Sequence, residues 1–412
     1  MKFENNRLVK ALRVAFYPAF EPAEAKRFEA ITSKARSLRN EGNLAGAEEV
    51  YLRAMAEAQA SRDSSHLSFI RYGLAQVYED QERYQEAERL FRDQLEEALE
   101  PPQPGTKAHG AHMGLARLFQ KQNKHAEVEE HYRAALAEAE KPEVWPDREV
   151  YSSTAQCLAR FYVEQHRYRD AEPLFQQVLE ILEANRPSDP SLAYYFQELA
   201  KVYEAQEKYA LAEELYRRAV KFSEALDEPK EFLIVRAVDE LARFSQARGR
   251  YTEAEDLSRR RLAIVEEKIG RHYEALTNRL RRRPNDKNLE AMINHAQVPI
   301  SEALERVAEI CEAQGKYEEA VPLRQRSLEI REKAWGEAND RIWVDSLAAQ
   351  ANALHKIGRK DEAAKLDERV AAIRTKYPHR RAFARLTAMP VKRTLRGRFN
   401  MFINALLHPS PR

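Results

Sequence analysis

Two histidines are the residues whose spacing comes nearest to a metal site. His109 and His112 stand three residues apart in a segment of helical composition. A helix would place both imidazoles on one face, where they could share a divalent ion. No cysteine or acidic residue stands beside them at ligand spacing. The sequence therefore predicts no metal site and no cofactor.

Catalytic patterns of other kinds are missing too. The chain has no Gly-rich phosphate loop, no cysteine pair at metal spacing and no nucleophile elbow. Paired glutamates are frequent, but on amphipathic helices they usually form a solvated face. We therefore expect no catalytic residues and a protein that is not an enzyme.

Basic residues recur at intervals of 40 to 43 residues, with Gln76 in the second place of the row. The five cations are Arg36, Arg117, Arg160, Lys201 and Arg243. Arginine forks bind carboxylates at two points, so such a row predicts a surface for an extended acidic peptide. The alternative is that these cations pair with neighbouring glutamates, which contributes only ~0–1 kcal/mol per exposed pair.

Helical hairpins are the elements that would position this row, and residues 199–220 show the pattern. Leu199, Ala200 and Tyr203 share one helical face. After a short polar turn, the apolar stripe of a second helix consists of Tyr209, Ala212, Leu215, Tyr216 and Ala219. Such a pair cannot bury both its faces alone and needs a copy on each side.

The hairpin pattern returns eight times when the chain is aligned on one residue between the two helices, called here the turn residue. The turn residues are Gly42, Glu82, Asn123, His166, Glu207, Gly249, Gly315 and Gly358. An alanine stands seven positions before each of them, in the first helix (helix A). Nine positions after, in the second helix (helix B), repeats one to five carry Tyr51, Phe91, Tyr132, Phe175 and Tyr216, whereas the last three carry Ser258, Arg324 and Asp367.

This order of residues resembles the tetratricopeptide repeat (TPR) pattern, although the period of about 42 exceeds the usual 34. The longer period resembles the kinesin light chain type, which the stretches at 171–182 and 320–336 support. Gln197-Glu198 stands where that type carries paired asparagines, so its cargo specificity is not carried over. The resemblance implies an all-α, right-handed α-solenoid of about eight helix-turn-helix repeats.

The predicted organisation has three parts: an N-terminal amphipathic cap or arm at 1–27, a solenoid at 28–375 and a basic amphipathic tail at 376–412. The predicted repeats are 28–61, 67–100, 108–141, 149–185, 191–227, 231–269, 300–335 and 341–375. An insertion occupies 270–299 and is expected to lengthen a helix up to Arg283 and then to loop out.

A stripe on helix A, at 13, 10, 6 and 3 residues before the turn residue, lines the concave groove of TPR folds, as the resemblance implies. The basic row falls in this stripe, with aromatic residues around it. The predicted partner-binding residues are Arg36, Phe69, Tyr72, Arg117, Arg160, Tyr194, Gln197, Lys201 and Arg243. The seventh repeat reverses the charge with Glu302, Glu305, Glu309 and Glu312.

Composition predicts a soluble protein of the cytoplasm. Charged residues make up 33% of the chain, and no apolar run reaches the ~18–20 residues of a membrane span. The two cysteines, Cys157 and Cys311, lie in different repeats and fit a reducing compartment. Leu8 to Phe16 contains Lys10 and Arg13, so it does not read as a secretory signal.

The C-terminal segment from Arg374 carries ten Lys and Arg residues and no Asp or Glu. An amphipathic helix at 391–407 would dock on anionic membrane or nucleic acid. The predicted docking residues are Lys392, Arg393, Arg396, Arg398, Phe399 and Phe402. A tail that folds back to cap the last repeat is the alternative.

The function that these features favour is a non-enzymatic scaffold or adaptor that binds an acidic peptide segment in the groove. The alternative is a peripheral targeting protein that docks through its tail while the repeats hold a partner. A regulatory subunit of an enzyme would have the same sequence features, and the oligomeric state stays open.

Overall fold

The computed structural model describes residues 22–60, 64–98, 106–141, 148–226, 231–283, 286–335 and 344–376. All its regular elements in these ranges are helices, in stacked helix-turn-helix pairs, as the predicted α-solenoid requires. The chain forms two compact units, residues 2–209 (unit one) and 210–412 (unit two).

Unit one holds the helices of repeats one to four and helix A of repeat five. They are α1 (Pro22–Asn40), α2 (Leu44–Ala60), α3 (Ser64–Asp80), α4 (Tyr84–Ala98), α5 (Thr106–Lys121), α6 (His125–Ala139), α7 (Glu149–Glu164), α8 (Tyr168–Asn185) and α9 (Ser191–Ala205).

Unit two begins at the start of helix B of repeat five. Its helices are α10 (Tyr209–Ala225), α11 (Glu231–Ala247), α12 (Tyr251–Arg282), α13 (Lys287–Ala296), α14 (Val298–Ala313), α15 (Tyr317–Trp335), α16 (Val344–Lys356) and α17 (Lys360–Lys376). Residues 1–21 of the predicted N-terminal cap or arm lie outside the described residues.

Helix A ends in the same way in every repeat, whatever the turn residue is. All eight turn residues have a positive φ, between 57° and 82°. In repeat four, the N–H of His166 donates to the carbonyl of Val163 at 3.0 Å and that of Arg167 to Tyr162 at 2.8 Å. The same two bonds recur in the other seven repeats and form a Schellman motif, which satisfies the last carbonyls of helix A.

The small residues that define the repeat are packed between helices. The alanines seven positions before the turn residue are all buried, as are the small residues five positions after it. Tyr51 and Phe91 of helix B pack on Gly73 and Gly114 of the next helix A, where a Cβ atom would collide with the ring. The aromatic residue of one repeat therefore sets how closely the next repeat approaches.

Cations that follow the turn residue form a row of ion pairs between successive repeats, called here the turn ladder. This position is Lys or Arg in seven of the eight repeats, and each rung joins it to a glutamate in helix B of the repeat before. The rungs are Glu48–Arg83, Glu129–Arg167, Glu172–Lys208, Glu213–Arg250 and Glu255–Lys316. Five such cations also lie over a ring of their own helix A, for example Arg83 over Tyr78 at 4.2 Å.

The insertion between repeats six and seven is helical on both sides of its turn. Helix α12 runs on to Arg282, and the segment that we expected to loop out forms α13. Leu289 and Ile293 are one turn apart, and they bury one face of α13 against Leu276 of α12. The insertion thus carries a small hydrophobic core of its own.

Candidate functional site

The helix-A stripe of unit one exposes its aromatic residues unequally. Phe69 on α3 is 46% exposed. Tyr72, one turn later, is half-buried with its ring edge-on to Phe91, 5.9 Å between centroids. Its hydroxyl accepts a hydrogen bond from Nη1 of Arg117 at 2.6 Å. Phe69 is therefore open to a partner, whereas Tyr72 is already engaged.

Arg117 is held in an ion-pair cluster with a buried carboxylate. Its Nη2 lies 2.6 Å from Oε1 of Glu79, whose side chain is only 2% exposed, and Lys121 Nζ lies 2.9 Å from Oε2. Burial alone would lower the pKa of Arg117, but the hydrogen bonds to Glu79 and Tyr72 and the Glu79 charge outweigh it and raise the pKa. The guanidinium is thus committed to internal contacts.

Arg160 and Arg36 differ from Arg117 because both side chains are exposed. Neither forms an ion pair with another residue of the part of the chain that the structure describes. Arg160 lies on α7, where Gln156, one turn earlier, accepts a hydrogen bond from Tyr195 at 3.0 Å. These two arginines are the cations of the predicted row that an acidic ligand could reach without displacing a carboxylate.

Helix α9 carries three of the predicted partner-binding residues, and all three have contacts within the chain. Lys201 Nζ pairs with Glu198 at 3.2 Å within the same helix. Tyr194 is half-buried and edge-on to Tyr195. Gln197 is wholly buried, and its Nε2 donates to the carbonyl of Ala193 at 2.9 Å. Its amide therefore closes a bond inside the helix, and a role of Gln197 in binding a partner stays a prediction.

In unit two the stripe is paired internally. Arg243 binds Glu240 at 3.0 Å and donates to the Tyr216 hydroxyl at 3.0 Å. In repeat seven, Glu305 and Glu312 share Arg324, and Glu309 binds Arg306 at 3.4 Å, so three of the four stripe glutamates are paired. The alternative that these charges pair with one another holds for unit two and for Arg117 and Lys201 in unit one.

Comparison with known families assigns the fold. The tetratricopeptide repeat model matches residues 28–96, 151–225 and 299–376, which together make up more than half of the chain. The chain belongs to the tetratricopeptide repeat family. TPR repeats are generally modules of protein–protein interaction, and the matched regions indicate no catalytic domain.

Solved structures resemble this TPR protein over parts of its length. Repeats of the kinesin light chain type from Podosopora anserina are 25% identical and cover 57% of this chain and 98% of theirs, with a TM-score of 0.43. BtubC (BKLC) from P. vanneervenii is 20% identical over 54% of this chain and 90% of its own, with a TM-score of 0.47. A signal transduction ATPase with a TPR sensor, from Pyrococcus horikoshii, is 14% identical over 82% of this chain and 45% of its own; its TM-score of 0.54 supports the fold alone. No curated protein matches the chain.

His109 and His112 of the third TPR repeat have different partners in the structure. His112 on α5 faces His131 on α6, with 3.1 Å between the Nδ1 atoms, and His131 stacks on Phe119. His109 instead bonds Thr154 of α7 through Nε2 at 2.8 Å. Burial, with His112 nearby, lowers the pKa of His109 to about 4. The sequence did not indicate His131, because it is 19 residues from His112 in the chain.

A group with metal-ligand chemistry lies in unit two, at Glu255, Cys311 and Glu319. Lys316 Nζ is 2.8 Å from Glu255, and Arg259 binds both glutamates at 2.8 Å. The hydrogen bond from Lys316, with those from Arg259 and Gln314, holds the pKa of Glu255 at about 2 despite burial. Two cations already satisfy these carboxylates, so the group is a structural ion-pair cluster.

The predicted tail-docking residues 392–402 lie outside the described residues. In the part of the chain that the structure describes, every helix is too short or too polar to cross a membrane.

Proposed function

We propose that this TPR protein is a non-enzymatic cytoplasmic adaptor that binds an extended acidic segment of another protein on the helix-A stripe of unit one. The observation that carries the proposal is the state of Arg160. Its side chain is exposed and has no ion-pair partner among the described residues. Arg117 and Lys201, at the same position of the repeats before and after, are both paired. A desolvated arginine–carboxylate pair gives both affinity and register.

Phe69 adds an apolar anchor to this stripe. It lies on helix A of repeat two and Arg160 on helix A of repeat four. Packed helices are roughly 8–10 Å apart, so two repeats span roughly 20 Å. An extended chain covers that distance in about six residues. The ligand expected here carries an apolar side chain about six residues from an acidic one.

The test reverses only the cations that are open. The variant R36E/R160E should bind arrayed acidic dodecapeptides containing one aromatic residue about tenfold more weakly than the wild type, because a repulsive pair replaces an attractive one. Arg117 is left unchanged, since reversing it would place a second carboxylate beside the buried Glu79 and disturb the fold as well as the ligand contact.

The matched control is R89E/R169E, which makes the same charge change at exposed positions of helix B. It should bind like the wild type, and circular dichroism should report equal helicity for all three proteins. Equal losses in both variants would mean that net charge, and not the stripe, governs binding.

Docking through the C-terminal tail stays a prediction. Docking of residues 376–412 on an anionic surface would show as co-sedimentation with anionic but not neutral vesicles, lost when those residues are deleted.

A further inference from the structure

The end of the insertion hairpin carries a dense group of arginines, called here the arginine tip. It comprises Arg279, Arg281, Arg282 and Arg283, and all four side chains are exposed. None of them forms an ion pair within the part of the chain that the structure describes; Arg281 only donates to Oδ1 of Asn278, at 3.2 Å. Four neighbouring like charges without internal partners repel one another, so the tip is not explained by the stability of the hairpin.

The arginines point away from the hairpin core. At ~100° per residue, the four positions spread over roughly 200° of the circumference of α12. Leu280, the remaining residue of this turn, lies roughly opposite the middle of that arc and packs on the cluster that Leu276 and Leu289 share. The tip is therefore a convex, positively charged surface.

A firm base holds the tip in place. The N–H of Arg283 donates to the carbonyl of Leu280 at 2.9 Å, and that of Asp286 to Arg283 at 3.1 Å. Asp286 caps α13 by accepting from the N–H of Leu289 at 3.0 Å. This carboxylate is thus engaged with the helix end and leaves the arginine charges largely uncompensated.

The helix dipole does not account for the group. Cations in the last turn of a helix gain about 0.3–1 kcal/mol each, which would favour them at every helix end. Helices α8 and α10 end without any basic residue in the last turn. A concentration of four arginines at one helix end therefore needs a partner.

We propose that the arginine tip binds a flexible acidic segment of a partner protein, which wraps around the end of α12. At the ~5–6 Å radius of a helix with side chains, the arc is roughly 20 Å long and matches about six residues of extended chain. All four cations are arginine, whose planar fork pairs with a carboxylate at two points. This surface lies apart from the stripe of unit one and does not depend on the function proposed for it.

Other anionic partners fit the tip less well. A flat membrane reaches only part of a 200° arc, and the described residues between Tyr273 and the tip expose no large apolar side chain for insertion. Duplex DNA is too stiff to follow such an arc, since its persistence length is about 50 nm. No aromatic residue stands between 274 and 283 to stack on bases.

The test uses fluorescence anisotropy with a labelled octaglutamate peptide and the full chain carrying R36E/R160E, which closes the stripe of unit one to acidic ligands. Adding R279Q/R281Q/R282Q/R283Q should weaken binding about tenfold or more, because four charge-assisted contacts are lost. Lysine at the same four positions should restore only part of the affinity, since the charge returns without the fork.

The matched control is R53Q/R89Q/R169Q/R374Q, which removes four exposed arginines elsewhere. It should leave peptide affinity within about twofold, because the remaining net charge acts only through screened long-range attraction. Thermal melting identifies a variant that has lost its fold. The proposal is overturned if tip and control variants lose affinity alike, or if the tip retains phosphatidylserine vesicles or duplex DNA but not the peptide.

Discussion

Arg324 occupies the helix-B position that aromatic rings fill in repeats one to five. It is 4% exposed, and its guanidinium binds Glu305 at 2.6 Å and Glu312 at 2.8 Å. Burial by itself would lower the pKa of Arg324, but the bond to Glu312 and the glutamate charges raise it. A buried ion cluster thus replaces a ring in repeat seven, and all its members depend on one side chain.

We expect Arg324→Phe to destabilise the protein by about 2–4 kcal/mol, although it restores the residue typical of the repeat. The two glutamates would lose the one cation that binds them among the described residues, and a half-buried carboxylate without a partner is costly. Urea denaturation followed by circular dichroism measures the change.

Neutral partners provide the control for this substitution. Adding E305Q and E312Q to R324F should recover part of the loss, because uncharged amides cost less to bury. If R324F alone is as stable as the wild type, the ion cluster contributes nothing to repeat seven.

At the scale of elements, the turn after helix A imposes the same backbone on different residues. Four turn residues are glycines, whereas Glu82, Asn123, His166 and Glu207 hold the left-handed conformation with a side chain. That conformation costs a non-glycine residue roughly 1 kcal/mol. The hydrogen bonds of the Schellman motif and the packing of the hairpin supply the difference.

Two substitutions test this account in opposite directions. Glu82→Gly should raise the free energy of unfolding by up to about 1 kcal/mol, and Gly315→Ala should lower it by a similar amount. A Cβ on Gly315 meets no atom within 4 Å, so a loss there reports backbone strain alone. Equal melting temperatures for the wild type and Gly315→Ala would contradict the argument.

At the scale of the whole molecule, each repeat is stabilised through its neighbours, so a weak interface limits the stack around it. The third repeat contains an interface that acidification would weaken. Burial lowers the pKa of His112 and His131 as well as that of His109. The charged groups coupled to them are Glu88, Arg92, Glu127, Glu130 and Glu138.

We expect unit one to lose stability as the pH falls from about 6.5 towards 4. A histidine with a lowered folded pKa binds its proton more readily when unfolded, so its stabilising effect is complete above 6.5 and is lost on acidification. The loss should be on the order of 2 kcal/mol by pH 5. Denaturant titrations at several pH values measure it.

Histidine replacements separate this effect from the titration of carboxylates. H109Q/H112Q should flatten the dependence between pH 7 and pH 5. His355→Gln removes an exposed histidine that binds Asp367 and should leave the slope of the histidine cluster unchanged. A slope that persists in H109Q/H112Q would assign the acid sensitivity to other groups.

The repeat and its packing could be predicted from the sequence because each depends on local spacing. Alanine at a fixed distance from the turn residue is buried in every repeat, and the turn residue itself proved to be the left-handed position. Pairing between helices could not be predicted. Arg117 with Glu79, or His112 with His131, joins residues 38 and 19 apart, and only the packed helices show which cations remain open.

The turn ladder bears on how a repeat protein of this kind gains repeats by duplication. Each rung uses one position just after the turn and one position in the helix B before it, so a duplicated repeat brings both halves of the connection with it. The rung Glu255–Lys316 forms although the insertion separates its residues by 61 positions. A copied or lengthened unit therefore docks on its predecessor without new substitutions, and the surface residues of each copy are left to diverge towards different ligands.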